Sequence, residues 1–202
     1  GFGLPLLQSL GKDPEKGAKA LVVVPTRELA IQVADDLKLA SANRSTMVAA
    51  IYGGKAYEEQ VAEINAGAQV IVGTPGRLID LSKQKLLDLG NIRFMVLDEA
   101  DEMLDLGFLP DVERLFAYTP DGRQTMLFSA TMPPAIMKMA EKHMKSPTRV
   151  EVAPAGTANE RVTQEIYVRE GDSVSVVQAL RTGGRTVESR GVVGELLIQI
   201  RA

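Results

Sequence analysis

FMVLDEADEML, residues 94–104, sets a short apolar run directly before four acids, Asp98, Glu99, Asp101 and Glu102. A short, continuous apolar run suits a strand buried on both faces of a parallel sheet. An Asp at the carboxyl end of such a strand is the pattern that holds Mg²⁺ in nucleotide-hydrolysing sheets. The Glu beside it is then placed to polarise an attacking water. A competing reading is purely electrostatic: Asp and Glu are favoured at a helix N-terminus by the helix dipole. The surrounding sequence has to decide between the two.

Outward from this stretch, similar runs recur. ALVVV (20–24), TMVAAIY (46–52), QVIVG (69–73) and QTMLFS (124–129) read as strands beside FMVL (94–97), and TRVEV (148–152) as a sixth. A helix is expected over 27–39, with Leu29, Val33 and Leu37 on one face and Ala30 and Ala34 beside them. Short apolar strands alternating with helices predict an α/β fold, a parallel sheet covered by helices on both faces. In such a sheet all the strand-to-helix turns lie along the carboxyl edge, where ligands bind.

Three of those turns look alike: VVVPTREL, VGTPGRL and LFSATMPP. Thr26 and Thr74 suit N-caps, and Pro75 suits a first helical turn. Arg27 and Arg77 fall in those first turns, where a cation opposes the dipole unless an anion satisfies it. That mismatch points to phosphate, since helix N-termini offer free N–H groups. Ordinary turns with surface arginines remain the alternative.

Composition narrows the class. The chain has 202 residues, net charge −3 and 45% hydrophobic residues, enough for one sizeable core. No apolar run approaches the roughly 20 residues a bilayer span needs, so a soluble, cytoplasmic protein without membrane contact is expected. With no cysteine and the single His143, thiolate and His-rich metal sites are excluded. The mild acidity argues against binding nucleic acid by bulk charge, and 4% aromatics argue against a base-stacking platform. Met103, Met126, Met132, Met137 and Met139 read as core fillers.

PTRELA (25–30), the pair Gly53 and Gly54, TPGR (74–77), DEAD (98–101) and SAT (129–131) occur in the order found in the DEAD-box ATP-dependent RNA helicases. Over residues 1–152 the chain resembles the first of that family's two RecA-like domains. The resemblance implies roles. Asp98 would hold the Mg²⁺ shell of ATP and Glu99 would activate water. Asp101 would connect to Ser129 and Thr131, coupling the nucleotide site to RNA. Pro25, Thr26, Arg27, Glu28, Gly53, Gly54, Thr74, Pro75, Gly76 and Arg77 would contact the RNA sugar–phosphate backbone, which carries little sequence information.

The pattern is incomplete. There is no GxxxxGK[ST] phosphate loop, and residues 1–10 resemble the helix that follows it. The sheet is therefore expected to be incomplete and the chain, as written, a negligible ATPase. Residues 153–162 read as a linker and 163–202 as a partial or aberrant start of the second RecA-like domain, with no clear period after about residue 180. Two other readings stay open: a non-catalytic RNA-backbone-binding or scaffold module, and a related ATPase acting on DNA.

Overall fold

The computed structural model describes residues 1–12 and 14–150, together with the backbone of three later strands. The chain divides into two units, Gly1–Pro147 and Thr148–Ala202.

The first unit is the expected α/β sheet. Its elements run α1 (Gly3–Leu10), β1 (Ala20–Val23), α2 (Arg27–Ala40), β2 (Val48–Ile51), α3 (Tyr57–Asn65), β3 (Val70–Gly73), α4 (Pro75–Lys83), β4 (Phe94–Leu97), α5 (Ala100–Asp105), α6 (Leu109–Tyr118), β5 (Gln124–Leu127) and α7 (Pro134–His143). The strands form one open sheet in the order β2-β3-β1-β4-β5, and every pair is parallel. β1 is central: Val23 lies level with Gly73 on one side and Leu97 on the other.

Four of the five strands are buried at every position, which is why they read as unbroken apolar runs rather than alternating ones. Successive side chains point to opposite faces. Leu21, Val23, Ile51, Ile71, Met95 and Leu97 pack with residues of α4 to α7. Val22, Val48, Val70, Phe94 and Val96 pack with α1 and α2, including Leu6, Leu7, Ala30, Ala34 and Leu37. The predicted helical face of α2 is thus the one that meets the sheet, and α2 runs one residue further than expected.

β5 differs. It lies at an open edge of the sheet, and none of its residues is fully buried. The sixth strand expected at 148–152 does not form in its described part. After α7 the chain turns through Ser146 at φ 47° and residues 148–150 join no ladder, with Val150 81% exposed. The core-filler reading holds for Met103 and Met139 and partly for Met126, but Met132 and Met137 are exposed. Met132 lies in the turn between β5 and α7, and Met137 sits on α7 beside the buried Ile136 and two positions before the buried Met139, on the helix's outer side.

In the second unit, β6 (Val162–Val168), β7 (Val174–Thr182) and β8 (Arg185–Val192) form an antiparallel three-stranded sheet, with Val162 level with Leu180 and Thr182 level with Arg185. The linker expected at 153–162 lies outside the described residues apart from Val162, as do residues 193–202 of the tail. No helix among the described residues is long and apolar enough to cross a membrane.

One glycine is needed by the sheet itself. A Cβ built on Gly73 would stand 2.3 Å from the Ile51 backbone oxygen and 3.0 Å from the Leu78 Cδ2. Both are fixed by the core, so neither can yield cheaply. Gly76, one turn on, has open space around its Cβ position. Gly73→Ala is therefore expected to cost about 1–3 kcal/mol in urea unfolding, while Gly76→Ala leaves stability unchanged or slightly raised.

Candidate functional site

Because the strands are parallel, the chain leaves all five at the same edge. In sheet order that edge carries Gly53 and Gly54 after β2, Thr74 to Arg77 after β3, Pro25 to Glu28 after β1, Asp98 to Asp101 after β4, and Ser129 to Thr131 after β5. All the residues singled out from sequence thus meet along one line. They are also sorted: both arginines and the glycines follow the three strands on one side, with Thr26, Glu28 and Thr74 among them, and Asp98, Glu99, Asp101, Ser129 and Thr131 follow the two on the other.

The acidic side is built by β4 and β5. The Asp98 N–H still donates to the Val23 oxygen (3.0 Å), continuing the β1 ladder, and the Asp98 carboxylate accepts from the Glu99 N–H (3.1 Å). Burial pushes the Asp98 carboxyl above its ordinary value, opposed by that hydrogen bond. Glu99 caps α5 in the left-handed region, φ 54° and ψ 52°. A β-carbon makes this conformation costly, so the turn is strained at a residue that carries candidate chemistry. Burial, and then the charges of Asp98, Glu102 and Asp101, raise the Glu99 carboxyl as well. Two adjacent carboxylates that resist ionisation suit a place where a cation is to sit.

Asp101 behaves oppositely. Its carboxylate accepts from the Thr131 N–H (2.8 Å), the Thr131 hydroxyl (3.0 Å) and the Ala130 N–H (3.4 Å). Its own N–H donates to the Ser129 Oγ (3.1 Å), and the Ala100 N–H donates to the Phe128 oxygen (3.0 Å). Partial burial raises the Asp101 carboxyl, but the hydrogen bonds from Thr131 and Ser129 together outweigh it and hold the group below its ordinary value. The start of α5 and the exit of β5 thus satisfy each other's free groups.

On the other side, Thr26 caps α2, its hydroxyl accepting from the Leu29 N–H (3.3 Å). Thr74 is the N-cap residue of α4 without a side-chain cap bond, and Pro75 opens that helix. The Arg27 guanidinium meets its neighbour Glu28 at 2.5 Å. Arg77 stacks on the Tyr57 ring, 4.4 Å from its centroid, and donates to the Lys55 oxygen (3.3 Å). The dipole mismatch at both arginines is therefore answered within the protein. Gly54 adopts φ 90°, with Arg27 Nη1 3.6 Å from where its Cβ would be. Both line an open cavity of about 470 Å³ together with Glu28, Ile31, Tyr52, Lys55, Ala56 and Glu59.

Sequence reasoning missed Tyr52, Lys55, Tyr57 and Gln60 in this half. Lys55 pairs with Glu63 at 2.5 Å, and Tyr57 donates its hydroxyl to Asp80. The signal lay in GGKAYEEQ, where a lysine and an aromatic follow the glycines and a glutamine sits one turn into the next helix. Among the described residues no group of three or more His, Cys, Asp or Glu is placed to hold a metal ion.

Residues 1–139 match the family model described as DEAD/DEAH box helicase. The chain is 45% identical over 168 residues to the DEAD-box ATP-dependent RNA helicase CshA of Streptococcus pneumoniae, covering 83% of this chain and 32% of that protein. To the ATP-dependent RNA helicase DeaD of Escherichia coli it is 47% identical over 168 residues, covering 82% of this chain and 26% of the other. A DEAD box protein from the hyperthermophile Methanococcus jannaschii, solved by crystallography, superposes with a TM-score of 0.69 at 41% identity, over 73% of this chain and 40% of that one. The chain spans about a third or less of the length of these curated relatives.

Two stability measurements test the acidic half. Glu99→Gly removes the left-handed strain and three like-charge repulsions, and should raise stability by about 1 kcal/mol. Asp101 has a lowered folded value, so its contribution is complete above the ordinary Asp range and is lost as pH falls through the folded value. Asp101→Asn should therefore lie below the parent at neutral pH and converge with it in acid, read as urea midpoints across pH.

Proposed function

The chain belongs to the DEAD/DEAH box helicase family, and from that membership we propose that it forms the nucleotide- and RNA-contacting first RecA-like domain of a cytoplasmic ATP-dependent RNA helicase, with ATP and Mg²⁺ as its cofactors. The domain is residues 1–152, which carry no GxxxxGK[ST] phosphate loop. Residues 153–162 link it to residues 163–202, the partial or aberrant start of a second domain. What carries the reading is the sorting along the sheet edge: paired carboxylates that resist ionisation on one side, arginines and bare glycine backbone on the other.

In this reading Asp98 orients the metal shell and Glu99 takes the proton of the attacking water. Mg²⁺ is usually held by one or two carboxylates together with substrate phosphates and water, which suits a site with Asp98 as its protein ligand and no larger acidic cage. Bound with ATP, the metal neutralises charge on the phosphates; the residues themselves contribute position and fixed charge. Asp101 holds Ser129 and Thr131, so the β5 exit moves only with the start of α5. Pro25, Thr26, Arg27, Glu28, Gly53, Gly54, Thr74, Pro75, Gly76 and Arg77 face the RNA backbone. Phosphate displaces Glu28 from Arg27, and Arg77 is already steadied on Tyr57.

The second reading, a non-catalytic module that only holds the RNA backbone, is favoured by one observation. The arginine side has an open cavity whose lining holds Arg27 and Lys55 together with Glu28 and Glu59, apart from Asp98 and Glu99. Glu99→Gln separates the two. In the protein as its gene encodes it, RNA-stimulated phosphate release from ATP should fall by about 10²–10⁴-fold while ATP-dependent RNA binding persists. A protein with no phosphate release to lose, yet with salt-sensitive RNA binding, would be the module. Arg27→Ala and Arg77→Ala should each reduce the salt slope of RNA binding by about one.

A further inference from the structure

Gln60 is a fully buried polar side chain on α3, at 0% exposure. A buried amide is costly unless each of its groups is bonded. Here each is: Oε1 accepts from the Tyr52 N–H (3.0 Å), and Nε2 donates to the Lys55 oxygen (3.1 Å) and the Ala56 oxygen (3.3 Å). One side chain thus ties together both ends of the segment 52–56. The amide accepts from one N–H and donates two N–H groups to two carbonyls at the same time; a carboxylate loses the donors and an alkyl group loses everything.

The segment so tied is the one that carries Gly53 and Gly54, both exposed. Its Lys55 oxygen also receives Arg77, and its Gly54 lies against Arg27. The backbone between the two arginines is therefore set from beneath by a group that no ligand can touch. We propose that Gln60 is a positioning residue for RNA-backbone binding: it fixes the path of the Gly53–Gly54 turn and the placement of Arg27 and Arg77 around it. The proposal rests on the RNA-backbone reading given above and adds a residue to it.

A built-in control exists. Gln69 is also a buried amide, 3% exposed, accepting from the Met47 N–H (2.8 Å) and donating to the Pro14 oxygen (3.2 Å). It sits just before β3, at the opposite end of the sheet from the candidate site. Gln60→Leu, Gln60→Glu and Gln69→Leu would be compared in the protein as its gene encodes it by anisotropy of a labelled single-stranded RNA, below the unfolding midpoint of each variant. Gln60→Leu should weaken RNA binding roughly tenfold or more, and the isosteric Gln60→Glu, which keeps the shape but as a buried neutral acid keeps only one of the two donations, should weaken it as well. Gln69→Leu should lose stability yet bind RNA within about twofold of the parent. The proposal is overturned if the folded Gln60 variants bind like the parent, or if Gln69→Leu loses affinity in the same proportion to lost stability. If the parent binds no RNA, or Arg27→Ala and Arg77→Ala change nothing, the RNA-backbone reading falls and takes this one with it. If only the arginines matter, Gln60 alone is refuted.

Discussion

Parallel pairing in a single register, with β1 between β3 and β4, is the constraint from which the rest of the molecule follows. Strands that run the same way must all end at the same edge, and their buried faces leave the helices no other place to pack. Five short strands therefore deliver five turns side by side. Residues separated by as much as a hundred positions, from Arg27 to Thr131, become neighbours on one line without any long loop to bring them there. The sheet order also decides which turns are adjacent, so the basic and acidic halves meet where β1 lies beside β4.

Within that frame the acidic half stores unfavourable free energy and the neighbouring contact offsets it. Asp98 and Glu99 are held where ionisation is costly, and Glu99 in a backbone conformation it would not choose. Asp101, three positions on from Asp98, is fully engaged with the exit of β5. A single acidic tetrapeptide thus divides into two electrostatic classes, one in which burial and like charges oppose ionisation and one satisfied by hydrogen bonds. The acidic helix start read from FMVLDEADEML is present too, since Asp101 and Glu102 lie in the first turn of α5.

Much of this was legible in the sequence because the fold is written in continuous apolar runs and the turns in strongly preferred residue types. ALVVV and FMVL could hardly be anything but buried strands, and Thr26 caps its helix as its residue type predicts. What escaped were effects of tertiary context. TRVEV has strand composition, but residues 148–150 join no ladder. Met132 and Met137 are apolar and yet exposed, because a helix has an outer side and periodicity across Pro133 and Pro134 is hard to phase. Gln60 was not singled out, since nothing local says that its amide points inward at a loop. Arg27 read as a cation lacking an anion, although the anion was the next residue along.

Gly73 has a consequence for how the chain reaches this arrangement. Slipping a strand by one residue turns every side chain to the wrong face and is rejected by the core. Slipping by two keeps the faces right, and among apolar four-residue strands such as VAAI and VIVG it is the tempting error. It would carry the β3 turn roughly 7 Å along the sheet, out of line with its neighbours. It would also bring a residue with a β-carbon to the position facing the Ile51 oxygen, where there is room only for hydrogen. The bare backbone of Gly73 is thus matched to this one pairing of β2 and β3, in which the edge is assembled.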